Sequence, residues 1–238
     1  MVNLETPLCE AGLAARDKKY SLRSPPSFAK DLKASGFTHA VLANNHVLDR
    51  GEAGLKQTLL ALKSAGVVAV GASLTGDPCR PVIAGYLTDS VALLAAVLLP
   101  RQDGRFVCND EVRLVTHLKE LHRRGIAALV TLHWGREFDP LASREQMAMA
   151  ARLVAAGATA IVGNHAHMVQ KPSEKSVTPS MVGTVPVWVG IGNFLFDQWQ
   201  PWTRQALAVQ TDFSKGILTG WKTIALRRNG PEVRPESP

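Results

Sequence analysis

Residues Met147 to His167 read MAMAARLVAAGATAIVGNHAH, and the architecture of the chain follows from that stretch. Met147, Ala150 and Val154 recur at helical spacing, which makes one apolar face. Ser143, just upstream, is placed to cap the helix N-terminus. Gly157 ends it, because only glycine enters the left-handed conformation without a steric penalty. Ala158 to Val162 is then a short apolar run, as expected of a strand covered on both faces. Polar residues follow at once as Gly163-Asn164-His165-Ala166-His167.

The same order of helix, glycine, strand and polar loop occurs at three further junctions: Ser35-Gly36-Phe37, Ala65-Gly66-Val67 and Arg124-Gly125-Ile126. The helix before Gly66 sets Leu55, Leu59 and Leu62 on one face, and the helix before Gly125 does so with Val115, Leu118 and Leu121. Strands are expected at Ala40 to Ala43, Val67 to Val70 and Ala127 to Leu132. Alternating helices and strands give an α/β layered fold. Farther on, Val185 to Ile191, Ala206 to Asp212 and Lys222 to Arg227 read as strands with no helix between them, so an antiparallel C-terminal portion is expected to close the sheet. Lys171 to Thr184 reads as a polar loop. With no internal linker, residues 1–228 read as one domain and 229–238 as a frayed tail.

The bulk numbers agree with a globular protein. The chain has 238 residues, 46% hydrophobic and 20% charged, long enough for a substantial core. No segment approaches the ~20 apolar residues that span a bilayer, and Met1 to Leu8 does not have the pattern of a signal peptide. Three cysteines, Cys9, Cys79 and Cys108, are too scattered to suggest a disulfide framework or a zinc knuckle. The net charge of +7 reads equally as a solvated basic surface, with Lys18 among its charges, or as a preference for an acidic partner, either an anionic polymer or a phosphate-containing small molecule. Nucleic acid is not expected: Lys18-Lys19 and Arg227-Arg228 are doublets without interleaved aromatics.

Three strands run straight into histidine. Leu42-Ala43 leads to Asn44-Asn45-His46, with Asp49 and Gly51 beyond it; Leu132 leads to His133-Trp134-Gly135, then Glu137; Val162 leads to His165 and His167. Ligands of open α/β sheets bind beyond the carboxyl ends of strands, and neutral imidazole is the commonest metal ligand. His-x-His at a strand end also keeps both rings on one side, since residues i and i+2 point the same way. Amide and carboxylate oxygens beside the imidazoles suit Mn, Fe or Zn. His39, His117 and His122 precede a strand or lie within a helix, where surface or capping roles suffice.

Asn3-Leu4-Glu5, Asn44-Asn45-His46 with Asp49 and Gly51, His133-Trp134-Gly135 with Glu137, Gly163-Asn164-His165-Ala166-His167 and Gly190-Ile191-Gly192-Asn193-Phe194-Leu195-Phe196-Asp197 occur in this order. In that order and spacing the chain, from Val2 to about Arg234, resembles the bacterial capsule-synthesis CapA or poly-γ-glutamate biosynthesis family, which is similar in fold to the calcineurin-like metallophosphatases. The resemblance implies a layered β-sandwich flanked by helices and a site for two divalent ions. It implies Glu5 as a bridging carboxylate, Asn45, His133, His165 and His167 as further metal ligands, and His46 as the proton donor to a leaving group or the stabiliser of charge developing on the substrate. Asn44 would lie behind the ligands. Asp49 would orient His46 or cap its loop, and Glu137 would orient His133 or stand as a solvated surface acid.

The function so implied is a metal-dependent phosphoesterase-type hydrolase in capsule or poly-γ-glutamate production, or a non-catalytic component of a polymer synthesis or export assembly that keeps the site as a relic. Membrane-associated synthase components are the implied partners and the cell envelope the implied location. The family opens with a strand ending in Gly-Asp before its Asn-Leu-Glu segment. Here Met1-Val2 precedes Asn3, so the first strand, its aspartate ligand and any anchoring segment are expected to be missing. For Trp199 and Trp202, packing against the sheet is expected over a grip on polymer.

Overall fold

A computed structural model describes residues 1–15, 18–85, 89–100, 102–173 and 178–236. All four glycine-terminated helices form: α1 (Phe28–Ala34), α2 (Gly51–Ala65), α3 (Glu111–Arg123) and α4 (Arg144–Ala155). Gly36, Gly66, Gly125 and Gly157 all take positive φ, as the sequence requires. Ser143 caps α4 in a reciprocal pair, its hydroxyl accepting from the Gln146 N–H while Gln146 Oε1 accepts from the Ser143 N–H at 2.9 Å.

The chain divides into two compact units, Met1–Pro81 with Leu94–Glu111, and Val82–Leu93 with Val112–Pro238. The first contains a parallel sheet of β1 (Val2–Asn3), β2 (His39–Val41) and β3 (Val68–Val70), in that order. α1 contributes Ala29 and Leu32 to the interior, and α2 contributes Leu55, Thr58 and Leu62. Cys79 and Cys108, both buried, are joined as a disulfide. Their separation of 29 residues explains why spacing alone did not pair them.

A mixed six-stranded sheet runs in the order β4 (Val82–Ala84), β5 (Val91–Val97), β6 (Ala127–His133), β7 (Ala160–Asn164), β10 (Val185–Trp188) and β9 (Ser180–Val182); the division between units falls within β5. β6, β7 and β10 are parallel, while β9 and β4 pair antiparallel at the edges. Two short strands, β8 (Val169–Gln170) and β11 (Gly190–Ile191), pair with each other. Every residue of β6 is buried, in accord with its unbroken apolar run.

Several expectations shift in the second unit. The buried residues of α4 are Gln146, Ala150 and Leu153, one position before the Met147 to Val154 face, because the capping box draws Gln146 inward toward Gln170. For α3 the buried set is Leu114, Leu118 and Leu121, with Leu114 replacing Val115. The Lys171 to Thr184 loop contains β9, although its residues 174–177 lie outside the described ones. Of the expected antiparallel C-terminal strands, Val185 to Ile191 divides into β10, parallel to β7, and β11, whereas the later ones are antiparallel but make their own three-stranded sheet of β12 (Gln205–Ser214), β13 (Ile217–Asn229) and β14 (Glu232–Pro235). Residues 232–235 of the expected frayed tail are therefore a paired strand; 237–238 lie outside the described residues.

Candidate functional site

In the first unit the polar cluster grows from the end of β2. After Val41 the chain turns, the Asp49 N–H donating to the His46 carbonyl at 3.0 Å. Asn44 is fully buried and links its own turn to the Asn3-Leu4 segment. Its Nδ2 donates to the Leu4 carbonyl at 2.9 Å and to Asn3 Oδ1 at 3.3 Å, and its Oδ1 accepts from the His46 N–H at 3.1 Å. Asn3 Nδ2 in turn donates to Glu5 Oε2 at 2.9 Å. A buried amide without partners is costly, so this chain of amides fixes Glu5 and the backbone of His46 at once.

His46 Nδ1 lies 2.7 Å from Asp49 Oδ2, and the carboxylate can only accept, so Nδ1 carries the proton. The Leu22 N–H donates to the same oxygen at 2.7 Å, and Lys18 Nζ donates to Asp49 Oδ1 and to the Asn45 carbonyl. Burial pushes the Asp49 carboxyl up, but the hydrogen bonds from His46, Lys18 and Leu22 together outweigh it and hold the group below its ordinary range. Asp49 thus both orients His46 and ties down the 18–22 loop. A neutral imidazole that donates from Nδ1 has its lone pair on Nε2, the atom that can exchange a proton with a ligand.

In the second unit three histidines converge. His133 ends β6, and His165 and His167 follow β7. The His133 and His165 rings have centroids 4.8 Å apart, with a ligand nitrogen of each within 4.8 Å of the other, and the His165 and His167 centroids are 6.4 Å apart. Strand alternation does not place the His165–His167 pair, since β7 stops at Asn164. Both residues take left-handed backbone, with φ of 94° for His165 and 56° for His167. That conformation is rare outside glycine and stores strain, which the surroundings must hold.

The holding contacts are specific. Gly163 lets β7 pass the next segment: a Cβ there would sit 1.8 Å from the Val189 carbonyl, which accepts from Trp134 Nε1 at 2.8 Å. Phe138, itself at φ 60°, donates its N–H to the Ala166 carbonyl at 2.9 Å. The rings of Phe138 and Phe196 lie 5.8 and 4.9 Å from that of His167, and His167 Nδ1 is 2.9 Å from Asn193 Oδ1. The close pair His133 and His165, a ligand nitrogen of each within 4.8 Å of the other, offers donors that suit a borderline divalent cation, and the buried His167 lies beside His165.

The sequence-derived candidates are linked within each unit as follows. Glu5, Asn44, His46 and Asp49 are joined in the first unit, where Asn45 contributes its carbonyl to Lys18; His133, His165 and His167 are joined in the second. Glu137 is exposed, past the turn at Gly135, whose φ is 83°, the position of a solvated surface acid. Trp199 and Trp202 are 76% and 52% exposed, not packed against a sheet. Lys18, expected as solvated surface charge, reaches Asp49 across 31 residues, a pairing with no local sequence signal. Asn193 stood in a quoted motif without a role, and Phe138 carried no signal.

Comparison with known proteins adds the lineage. A family model described as bacterial capsule synthesis protein PGA_cap matches residues 1–198. Capsule biosynthesis protein CapA of Bacillus anthracis is 34% identical over 203 residues, covering 79% of this chain and 46% of that protein. PGA biosynthesis protein CapA of Bacillus subtilis (strain 168) is 26% identical over 223 residues, covering 90% and 57%. The chain spans about half the length of these curated relatives. A hypothetical protein from Thermus thermophilus aligns with a TM-score of 0.55 at 17% identity, over 92% of this chain and 83% of the other. A structure described as a novel phosphatase from Mycoplasma pneumoniae aligns with a TM-score of 0.51 at 12% identity, over 87% and 90%. The fold is accordingly mixed α/β, like that of these two solved structures. With its match running through residues 1–198, the chain belongs to the bacterial capsule synthesis protein PGA_cap family.

Proposed function

We propose that residues 1–228 work as one metal-dependent phosphoesterase-type hydrolase of capsule or poly-γ-glutamate production. In the second unit His133, His165 and His167 would hold divalent metal, Mn, Fe or Zn, with two ions in the complete fold; Glu5 and Asn45 are the candidate ligands that the first unit carries. The observation that carries the proposal is the convergence of the three imidazoles, two of them on strained backbone. Such strain clusters where geometry serves function. A bound divalent ion supplies Lewis acidity and an activated water.

The chain's own residues supply the rest. His46, protonated on both nitrogens, would give the Nε2 proton to the leaving oxygen, and Asp49 would stabilise the charged ring through Nδ1. Asn44 holds the His46 backbone while this happens. An anionic polymer or a phosphate-containing small molecule is the substrate class we assign, in keeping with the net charge of +7 and the relatives' names. Polymer synthase components of the membrane are the partners we assign, and the cell envelope is the location. The Cys79–Cys108 disulfide supports an oxidising compartment. No helix of the described residues is long and apolar enough to cross a membrane.

The test is hydrolysis of a generic phosphodiester, bis-p-nitrophenyl phosphate, by protein loaded with Mn²⁺. Turnover that needs the ion and falls roughly 10²–10⁴-fold in His46→Ala, with metal content retained, is expected. Fully loaded protein with no turnover would overturn the hydrolase reading and leave the non-catalytic assembly component. Loss of metal in His46→Ala would make that residue a ligand instead.

A further inference from the structure

We infer that Asn193 is the positioning residue for His167, fixing its tautomer so that Nε2 is the nitrogen offered to a cation. This rests on the proposed metal site and adds to it a residue that sequence reasoning left without a role. The contact is 2.9 Å between His167 Nδ1 and Asn193 Oδ1, and both side chains are buried, at 5% and 7% exposure. Burial makes the partner consequential, because an imidazole N–H left there without an acceptor is strongly penalised.

The orientation of the Asn193 amide is set from its other end. Asn193 Nδ2 donates to Gln198 Oε1 at 3.0 Å, and the Gln198 carbonyl accepts from Arg228 on β13. The segment itself is pinned at Gly192, which bridges to Ala206 and where a Cβ would lie 2.3 Å from the Gln205 carbonyl. With Nδ2 engaged by Gln198, Oδ1 faces His167 and requires a proton on Nδ1. The flanking rings of Phe138 and Phe196 hold the imidazole plane. Because His167 sits at φ 56°, its backbone alone does not favour this pose. A partner on the second nitrogen therefore has to maintain it, as is general for ligating histidines.

Two measurements separate this inference from the site reading it rests on. The first is the tautomer of His167 in metal-free protein, read by nitrogen-15 NMR of histidine-labelled protein. The Nδ1–H form is expected; the Nε2–H form would overturn the inference whether or not metal ever binds. The second is Mn²⁺ titration of the wild type, Asn193→Leu and Asn193→Asp. Removing the acceptor should weaken binding roughly 10–100-fold, whereas aspartate, which still accepts, should restore it. Equal affinity in Asn193→Leu and wild type would also overturn it. A wild type that binds no Mn²⁺ counts against the metal site, and the tautomer still decides Asn193. The tautomer is measured on the unsubstituted chain, so it is decided even if Asn193→Leu fails to fold.

Discussion

The two polar clusters are built by opposite means. In the first unit the side chains are held by charge and by amides: a buried carboxylate with three donors, and a run of Asn3, Asn44 and Glu5. In the second they are held mainly by backbone and shape, with one amide acceptor: left-handed residues at 138, 165 and 167, a glycine with no room for a methyl group, two aromatic rings beside an imidazole, and Asn193 Oδ1 on its Nδ1. A cluster held by hydrogen bonds fails when a proton or a partner is changed. One held by shape fails when atoms are added. The first should be sensitive to charge and the second to volume.

The largest effect expected is in the charged cluster. Asp49→Ala leaves Lys18, the His46 Nδ1–H and the Leu22 N–H without their acceptor and should cost about 3 kcal/mol or more, read by denaturant unfolding. A loss under about 1 kcal/mol would show that water replaces the carboxylate readily. The matching change in the second unit is Gly163→Ala, whose new methyl would meet the Val189 carbonyl at 1.8 Å. Displacing that carbonyl should cost roughly 1–3 kcal/mol and weaken the Trp134 Nε1 bond, visible in indole fluorescence.

Acid should separate the clusters. The Asp49 pKa is lowered in the folded state, so its contribution is complete above the unfolded value of about 3.9 and is lost as pH falls through the lower folded value. In wild type this adds to stability on the alkaline side of that window, and in Asp49→Asn the pH dependence should flatten there. An unchanged acid limb in Asp49→Asn would show that other carboxylates govern it.

How far the sequence speaks follows the same division. Strand ends were legible because β6 and β7 are continuous apolar runs that stop at a histidine or an asparagine. The capping box at Ser143 was legible because it spans three residues. What stayed hidden depends on long-range partners: Lys18 on Asp49, Cys79 on Cys108, and β14 on a strand it can join only once β13 exists. The one-residue turn of the α4 face was hidden as well, since an inward Gln146 breaks the apolar pattern that periodicity reads. His165 and His167 were found by motif, although the stated reason, strand alternation, gave way to a left-handed turn.

The smallest effect expected probes that turn. His165→Gly relieves the φ of 94° and should change metal-free stability by less than about 1 kcal/mol, the relief offsetting lost ring contacts. Its metal affinity should nevertheless fall. A stability loss above about 2 kcal/mol would mean the ring is a packing element first.

The most direct test of the metal assignment is anomalous diffraction from a crystal soaked in Mn²⁺. The account predicts a peak bound by nitrogens of His133, His165 and His167 at roughly 2.0–2.2 Å. Absence of a peak at those rings in a fully soaked crystal, or a peak bound elsewhere, would contradict it.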